Sequence, residues 1–184
     1  MRILRAADRR AIPWKNGGGV TRDVAVFPAG PSPDNFDWRV SIAEIASSGP
    51  FSFFAGIDRQ FAVLDGQVAL TFDGQEKILN PQSDVLSFAG EAPVHGEPFG
   101  GVSQDLNVMT RRDRFTGRLQ RLAAASVTPS ATVTILLALQ QLTVGEVPLE
   151  RLDALLFEGK SQALPVTPGS AEFYLIEISA LPWQ

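Results

Sequence analysis

Cysteine is absent from the 184 residues of this chain, and histidine occurs once. Without thiols there can be no disulfides, thiolate zinc sites, iron–sulfur ligation or cysteine nucleophiles. One His cannot supply the two or three imidazoles of the common transition-metal centres, which leaves only a carboxylate site for a hard cation. Basic residues are also short. There are 16 Lys+Arg against 20 Asp+Glu, a formal net charge of −4 and a pI of about 5.0, a balance that runs against wrapping a nucleic-acid backbone. Long apolar runs are missing too. The longest, Ile135-Leu136-Leu137-Ala138-Leu139, is far too short to cross a bilayer. No apolar core follows the charged start Met1-Arg2-Ile3-Leu4-Arg5, as one would in a signal peptide. The expectation is a soluble cytoplasmic protein with no cofactor and no metal. One Ser-His-Asp triad remains allowed by count, but no Gly-x-Ser-x-Gly nucleophile elbow occurs, so serine hydrolysis is disfavoured.

What is present is turn-rich and β-prone. Hydrophobic residues make up 45% and charged residues 20%, a globular composition. Gly 16 and Pro 13 break the chain often. Phe36 to Ala43 alternates larger apolar residues with polar or small ones, as a half-buried strand does. Asp65-Gly66 and Asp73-Gly74 each adjoin a β-prone run, which predicts two hairpins because such turns need positive φ. Asn80-Pro81, Glu158-Gly159 and Pro168-Gly169 mark further breaks. The runs 131–139, 154–157 and 172–178 repeat the strand pattern. Helical signals are thin. Short strands without βαβ alternation predict an all-β sandwich or barrel. The strand-rich stretches, roughly 35–110 and 117–184, flank the charged joint Arg111-Arg112-Asp113-Arg114.

Three groups of residues could carry chemistry. The first is Trp14-Lys15-Asn16-Gly17-Gly18-Gly19-Val20-Thr21-Arg22-Asp23. Its glycine N–H groups could form an anion nest with Lys15 and Arg22 adding charge. The order is wrong for a P-loop, however, and a strand rather than a helix follows, so a sharp structural turn is an equal reading. The second is Trp38-Arg39-Val40-Ser41, which puts Arg39 and Ser41 on one strand face. Facing a barrel interior, Arg39 needs a carboxylate from protein or ligand; facing water, it is an ordinary solvated residue. The third is Asp105-Leu106-Asn107-Val108-Met109, where Asp105, Asn107 and Met109 share a face. That face could bind a polar ligand, pair with an Arg such as Arg39 or Arg59, or lie exposed at an edge. His95 sits in a Gly/Pro-rich loop, where a solvated surface residue is the default.

Four tracts in order, Trp14 to Gly19, Phe36 to Ala43, Gly49-Pro50-Phe51-Ser52 with Gly56-Ile57-Asp58-Arg59, and Asp105 to Met109, resemble the HutD/Ves family. The resemblance covers about residues 1–112. It implies a bicupin, two RmlC-like jelly-roll β-barrel halves in one chain. The halves would be approximately 1–112, carrying the family motifs, and approximately 113–184. It also implies a regulatory or pathway-tuning role in histidine utilisation or a stress response, with no established catalytic activity. The matching polar positions, and hence the candidate ligand-binding set, are Lys15, Asn16, Arg22, Arg39, Ser41, Arg59, Asp105 and Asn107.

The leading expectation is a metal-free cupin that binds a small anionic metabolite in its N-terminal barrel, because Arg and Lys concentrate in the matching motifs of an acidic protein. Formylglutamate, formiminoglutamate and urocanate are the first candidates, given the implied link to histidine breakdown. Two alternatives belong to other classes. One is a metal-independent isomerase or lyase using Asp105 or Lys15 as acid/base group. The other is a protein-interaction scaffold with a collapsed interior and an exposed apolar patch. A homodimer through sheet edges is a further expectation.

Overall fold

The computed structural model describes residues 1–14, 17–29 and 35–182. Lys15 and Asn16 lie outside the described residues. Strands β1 (Arg2–Leu4), β2 (Ala11–Pro13), β3 (Gly19–Phe27), β4 (Trp38–Ile45), β5 (Gly49–Pro50) and β6 (Ile57–Phe72) come first. They are followed by β7 (Gln75–Leu79), β8 (Leu86–Ala89), β9 (His95–Arg111), β10 (Phe115–Ala123), β11 (Ser126–Val127) and β12 (Val133–Ala138). The last are β13 (Leu142–Val144), β14 (Val147–Leu149), β15 (Ala154–Glu158), β16 (Leu164–Thr167) and β17 (Glu172–Ala180). One short 3-10 turn, Ala6–Asp8, is the only helical element among the described residues. The all-β expectation holds.

The chain forms two compact units, Arg10–Arg114, and Met1–Arg9 with Phe115–Gln184. In the first, the hydrogen-bonded order is β2-β3-β4-β9-β6-β7, with β5 added to β9 and β8 to β6. Its strand pairs are antiparallel. The path is open, ending on β2 and β7. Its core gathers Ile45, Phe61, Val63, Val68, Leu70, Leu79 and Val94, with Phe36, Ile57 and Met109 in a second cluster.

The long strands β6 and β9 pair from Ile57↔Arg111 to Thr71↔His95, and the register shifts on either side of Asp65. Asp65-Gly66, expected as a hairpin, is therefore a bulge inside a continuous strand. Gly66 has φ +72, and a Cβ there would stand 3.0 Å from the Val102 carbonyl oxygen. The positive φ that marks a hairpin turn also marks a bulge, and the neighbouring strand decides between them. Asp73-Gly74 does make the expected hairpin. Phe72 faces Gln75 across a two-residue turn, with φ of 50 and 72 at its centre.

The other unit has a five-stranded sheet, β1-β15-β12-β17-β10, and a four-stranded one, β11-β16-β13-β14. Its interior is filled by apolar side chains, among them Leu136, Leu142, Leu149, Leu155, Phe157 and Phe173. β12 is buried along its whole length, which explains its continuous apolar run, since both of its faces meet other side chains.

The segment after β5 is tied down by its backbone. Phe51 N–H donates to the Val94 carbonyl (2.8 Å) and Phe54 N–H to the Gly90 carbonyl (2.9 Å), while Gly90 N–H donates to Ile57 (2.7 Å). A Cβ on Gly90 would lie 2.5 Å from the Phe54 carbonyl oxygen and 3.0 Å from that of Ile57. Gly90→Ala should therefore push the segment off β8 and destabilise the fold by about 1–3 kcal/mol, measurable as a lower urea midpoint with an unchanged slope.

Candidate functional site

Side chains on one sheet face align in rows across neighbouring strands, and β9 lies between β4 and β6. Its register with β4 pairs Met109 with Arg39, Asn107 with Ser41 and Asp105 with Ala43. Its register with β6 pairs the same residues with Arg59, Phe61 and Val63. The rows are thus Arg39–Met109–Arg59, Ser41–Asn107–Phe61 and Ala43–Asp105–Val63. Alternation puts all nine side chains on one face. That face floors an open cavity of about 470 Å³, within the size range of small-molecule sites.

The walls come from two stretches. Ile12, Pro13, Trp14 and Thr21 line one side, and Pro50 to Phe54 the other. Trp14 is held by its indole N–H, which donates to Thr21 Oγ1 at 2.8 Å. Phe53 is 69% exposed at the mouth. The site is polar at the floor and apolar at the rim.

The floor carries a hydrogen-bonded relay. Arg59 Nη2 donates to Asn107 Oδ1 at 2.8 Å, and Asn107 Nδ2 donates to Asp105 Oδ2 at 2.5 Å. Arg59 also lies 5.0 Å from the Phe51 ring centroid and 5.1 Å from that of Phe88, two cation–π contacts that fix the guanidinium. Arg39 donates through Nε to Asp23 Oδ1 at 2.7 Å. These groups are deep: Arg39 is 8%, Arg59 7% and Asp105 1% exposed. Two of their atoms, Arg59 Nε and Asp105 Oδ1, are buried without a hydrogen-bond partner.

Burial pushes the Asp105 carboxyl up to about 7, against the opposing pull of Arg59 and the Asn107 hydrogen bond. Burial also brings Arg59 down to about 10, with Asp105 opposing and Arg39 reinforcing the shift. Desolvation therefore outweighs the mutual attraction of the pair. Asp105 reaches Arg59 through an amide rather than directly. Among the described residues no carboxylate lies within ion-pair distance of Arg59.

The cavity thus brings together Arg39, Ser41, Arg59, Asp105 and Asn107 from the candidate set. Arg22 lies apart from them. It alternates to the opposite face of β3 from Thr21 and pairs with Glu44 at 2.6 Å. The glycine tract is a turn between β2 and β3. Gly17 N–H donates to the Trp14 carbonyl, and the Gly18 carbonyl accepts from Ala46 and Ser47, while a Cβ on Gly19 would run into the Glu44 carbonyl. His95 is exposed and meets Ser48 Oγ at 2.8 Å, away from the cavity lining. Among the described residues no group of three or more His, Asp or Glu could hold a metal ion.

Asp23, Phe51 and Phe88 were not legible as parts of the site. Phe51 stands in a tract used for the family resemblance, but nothing local announces a ring set against an arginine. Asp23 shares the cavity face with Thr21 by alternation, a signal available once β3 is recognised.

The family model described as HutD matches residues 6–174. The chain is 39% identical over 138 residues to an uncharacterized 21.2 kDa protein in the hutC 3′ region of Pseudomonas putida, covering 74% of this chain and 72% of that one. It is 44% identical over 109 residues to protein Ves of Cronobacter sakazakii, covering 58% of this chain and 59% of Ves. Among solved structures, HutD from Pseudomonas fluorescens SBW25 (formate condition) superposes with a TM-score of 0.87 at 30% identity, covering 98% of this chain and 99% of that chain.

The Asp105 proton gives the site a pH signature. The folded protein holds it up to about pH 7, whereas the unfolded chain releases it near pH 4, so this group makes stability fall as pH rises between the two. Asp105→Asn lacks that dependence. Relative to the parent, the variant should gain on the order of 2–4 kcal/mol on going from about pH 4 to about pH 8, read from urea unfolding at a series of pH values. A difference that stays constant across the series would place Asp105 in a solvated environment.

Proposed function

This chain belongs to the HutD family, and from that footing we propose that its cavity binds a small anionic metabolite without a metal. In this reading the protein is a bicupin of two RmlC-like jelly-roll halves, with the ligand in the N-terminal half. It serves as a regulatory or pathway-tuning protein of histidine utilisation, working in the cytoplasm. The single observation that carries the ligand class is Arg59. Its guanidinium is 7% exposed, has an unpartnered Nε, and bonds a neutral amide rather than a carboxylate. A buried cation in an open cavity is stabilised by an incoming anion. Arg39 on the same row supplies a second cationic donor, while Ser41 and Asn107 orient the remaining polar atoms. Lys15 and Asn16, which follow Trp14 in sequence, stay in the proposed ligand-binding set, and Arg22, paired with Glu44 on the other face, leaves it.

The link to histidine breakdown rests on relatives. One is a protein of the hutC 3′ region, and another is a HutD of known structure. Formylglutamate, formiminoglutamate and urocanate remain the first ligands to examine. No described helix is long and apolar enough to cross a membrane.

A second reading draws on Asp105. A buried carboxyl that titrates at about 7, linked to Arg59 through the Asn107 amide, suits acid/base work in a metal-independent isomerase or lyase. Incubating the three compounds with the protein in deuterated water, followed by proton NMR, separates the readings. Turnover or carbon-bound deuterium exchange supports the enzyme, and unchanged spectra support a binding protein.

For the leading reading, calorimetric titration should detect at least one of the three compounds. Arg39→Ala and Arg59→Ala should each weaken that binding about tenfold or more, the scale of a lost charge-assisted hydrogen bond. Absence of heat with every small carboxylate would remove the proposal.

A further inference from the structure

We propose that Asp105 is the specificity-determining residue of this cavity, selecting carboxylates that also carry a hydrogen-bond donor, an amide or amidine N–H or a hydroxyl, placed to reach Oδ1. The inference rests on the carboxylate reading above and adds the second head of the ligand.

The rows set the geometry. Arg39 and Arg59 flank Met109, and Asp105 stands two rows further along β9, roughly 13 Å away by strand rise. The long Arg59 side chain closes part of that span, since it reaches the middle row at Asn107. The floor is therefore cationic at one end and carboxylic at the other. A ligand with only an acidic head uses only half of it.

At the Asp105 end, one oxygen is occupied and one is not. Oδ2 accepts from Asn107, and Oδ1 is buried with no partner. Asn107 cannot serve both oxygens. Its amide is fixed from two sides, with its oxygen accepting from Arg59 and its nitrogen donating to Asp105. The residues beside Asp105 in its row, Ala43 and Val63, bring no donor. Buried acidic groups elsewhere are better served. Asp153 accepts from Arg5, from Ala6 N–H and from Glu150 N–H, and Asp37 takes Arg114 and Arg111. Asp105 differs from both in lining a cavity, where a bound molecule can complete its shell. A ligand that closes the cavity without offering a donor strands this oxygen, and a site built to hydrogen-bond a polar group rejects the analogue lacking it.

Isosteric pairs test this on the unmodified protein. Succinamate and levulinate differ only in an amide NH₂ in place of a methyl, and glutaramate and 5-oxohexanoate are the same pair one carbon longer. NMR titration at about pH 8, where the Asp105 carboxyl is ionised, should show the amide binding about tenfold or more tightly than the ketone at one or both lengths. In Asp105→Asn, with folding checked by its spectrum, the ratio should fall below about threefold while ketone binding holds or improves. Equal binding of amide and ketone at both lengths overturns the inference and leaves the carboxylate reading standing. A preference that persists undiminished in Asp105→Asn assigns it to another group and also overturns the inference. If none of the four compounds binds, this inference fails, while the calorimetric titration of the three first candidates decides the carboxylate reading by itself.

Discussion

Arg59 sits on the central strand β6 with its guanidinium between two phenyl rings and its charge relayed, through one amide, to a carboxyl on the neighbouring strand β9. Placing a cation there is costly unless its neighbours compensate, and the arrangement around the cavity can be understood from that cost. Phe51 and Phe88 supply the faces of their rings, Asn107 supplies an oxygen, and Asp105 supplies a charge at one remove. Two atoms are left without a partner, Arg59 Nε and Asp105 Oδ1, and both belong to residues that line the same cavity. Phe61 and Val63, on the same face of β6, continue from the floor into the apolar core.

The same chain shows what a finished buried charge looks like. Asp153 draws three donors and is held below the usual carboxylate range, its hydrogen bonds to Ala6, Arg5 and Glu150 outweighing burial. Asp105 has one donor and moves the other way. Both are aspartates in antiparallel β units, so the contrast lies in the number of donors each neighbourhood offers. Asp153 is saturated, with donors on both of its oxygens. The cavity acid is not, and that separates a site from a staple.

Much of the floor was legible in the sequence. Strand alternation placed Arg39 with Ser41, and Asp105 with Asn107 and Met109, on common faces, and those are the faces that meet. Alternation cannot say whether a face looks inward, because that depends on which strands flank it, and β4, β9 and β6 come together from distant parts of the chain. The Asp65-Gly66 pair shows the same limit. Its local chemistry called for positive φ, which it has, but the partner strand turned an expected hairpin into a bulge. Arg22 stood in the right tract with the wrong parity, one position away from the cavity face occupied by Thr21 and Asp23. The aromatic contacts to Arg59 could not be read at all, since Phe51 lies in the segment after β5 and Phe88 on β8, and only the folded sheet brings both rings to it.

The cavity draws its floor from three paired strands and its rim from the segment Pro50 to Phe54, with Phe53 standing largely free. These two parts answer to different constraints. A change on the floor disturbs a register shared by three strands, whereas a change at Phe53 disturbs little besides the mouth. The aromatic at the mouth is thus a position where the entrance can change shape while the strand registers beneath it stay as they are.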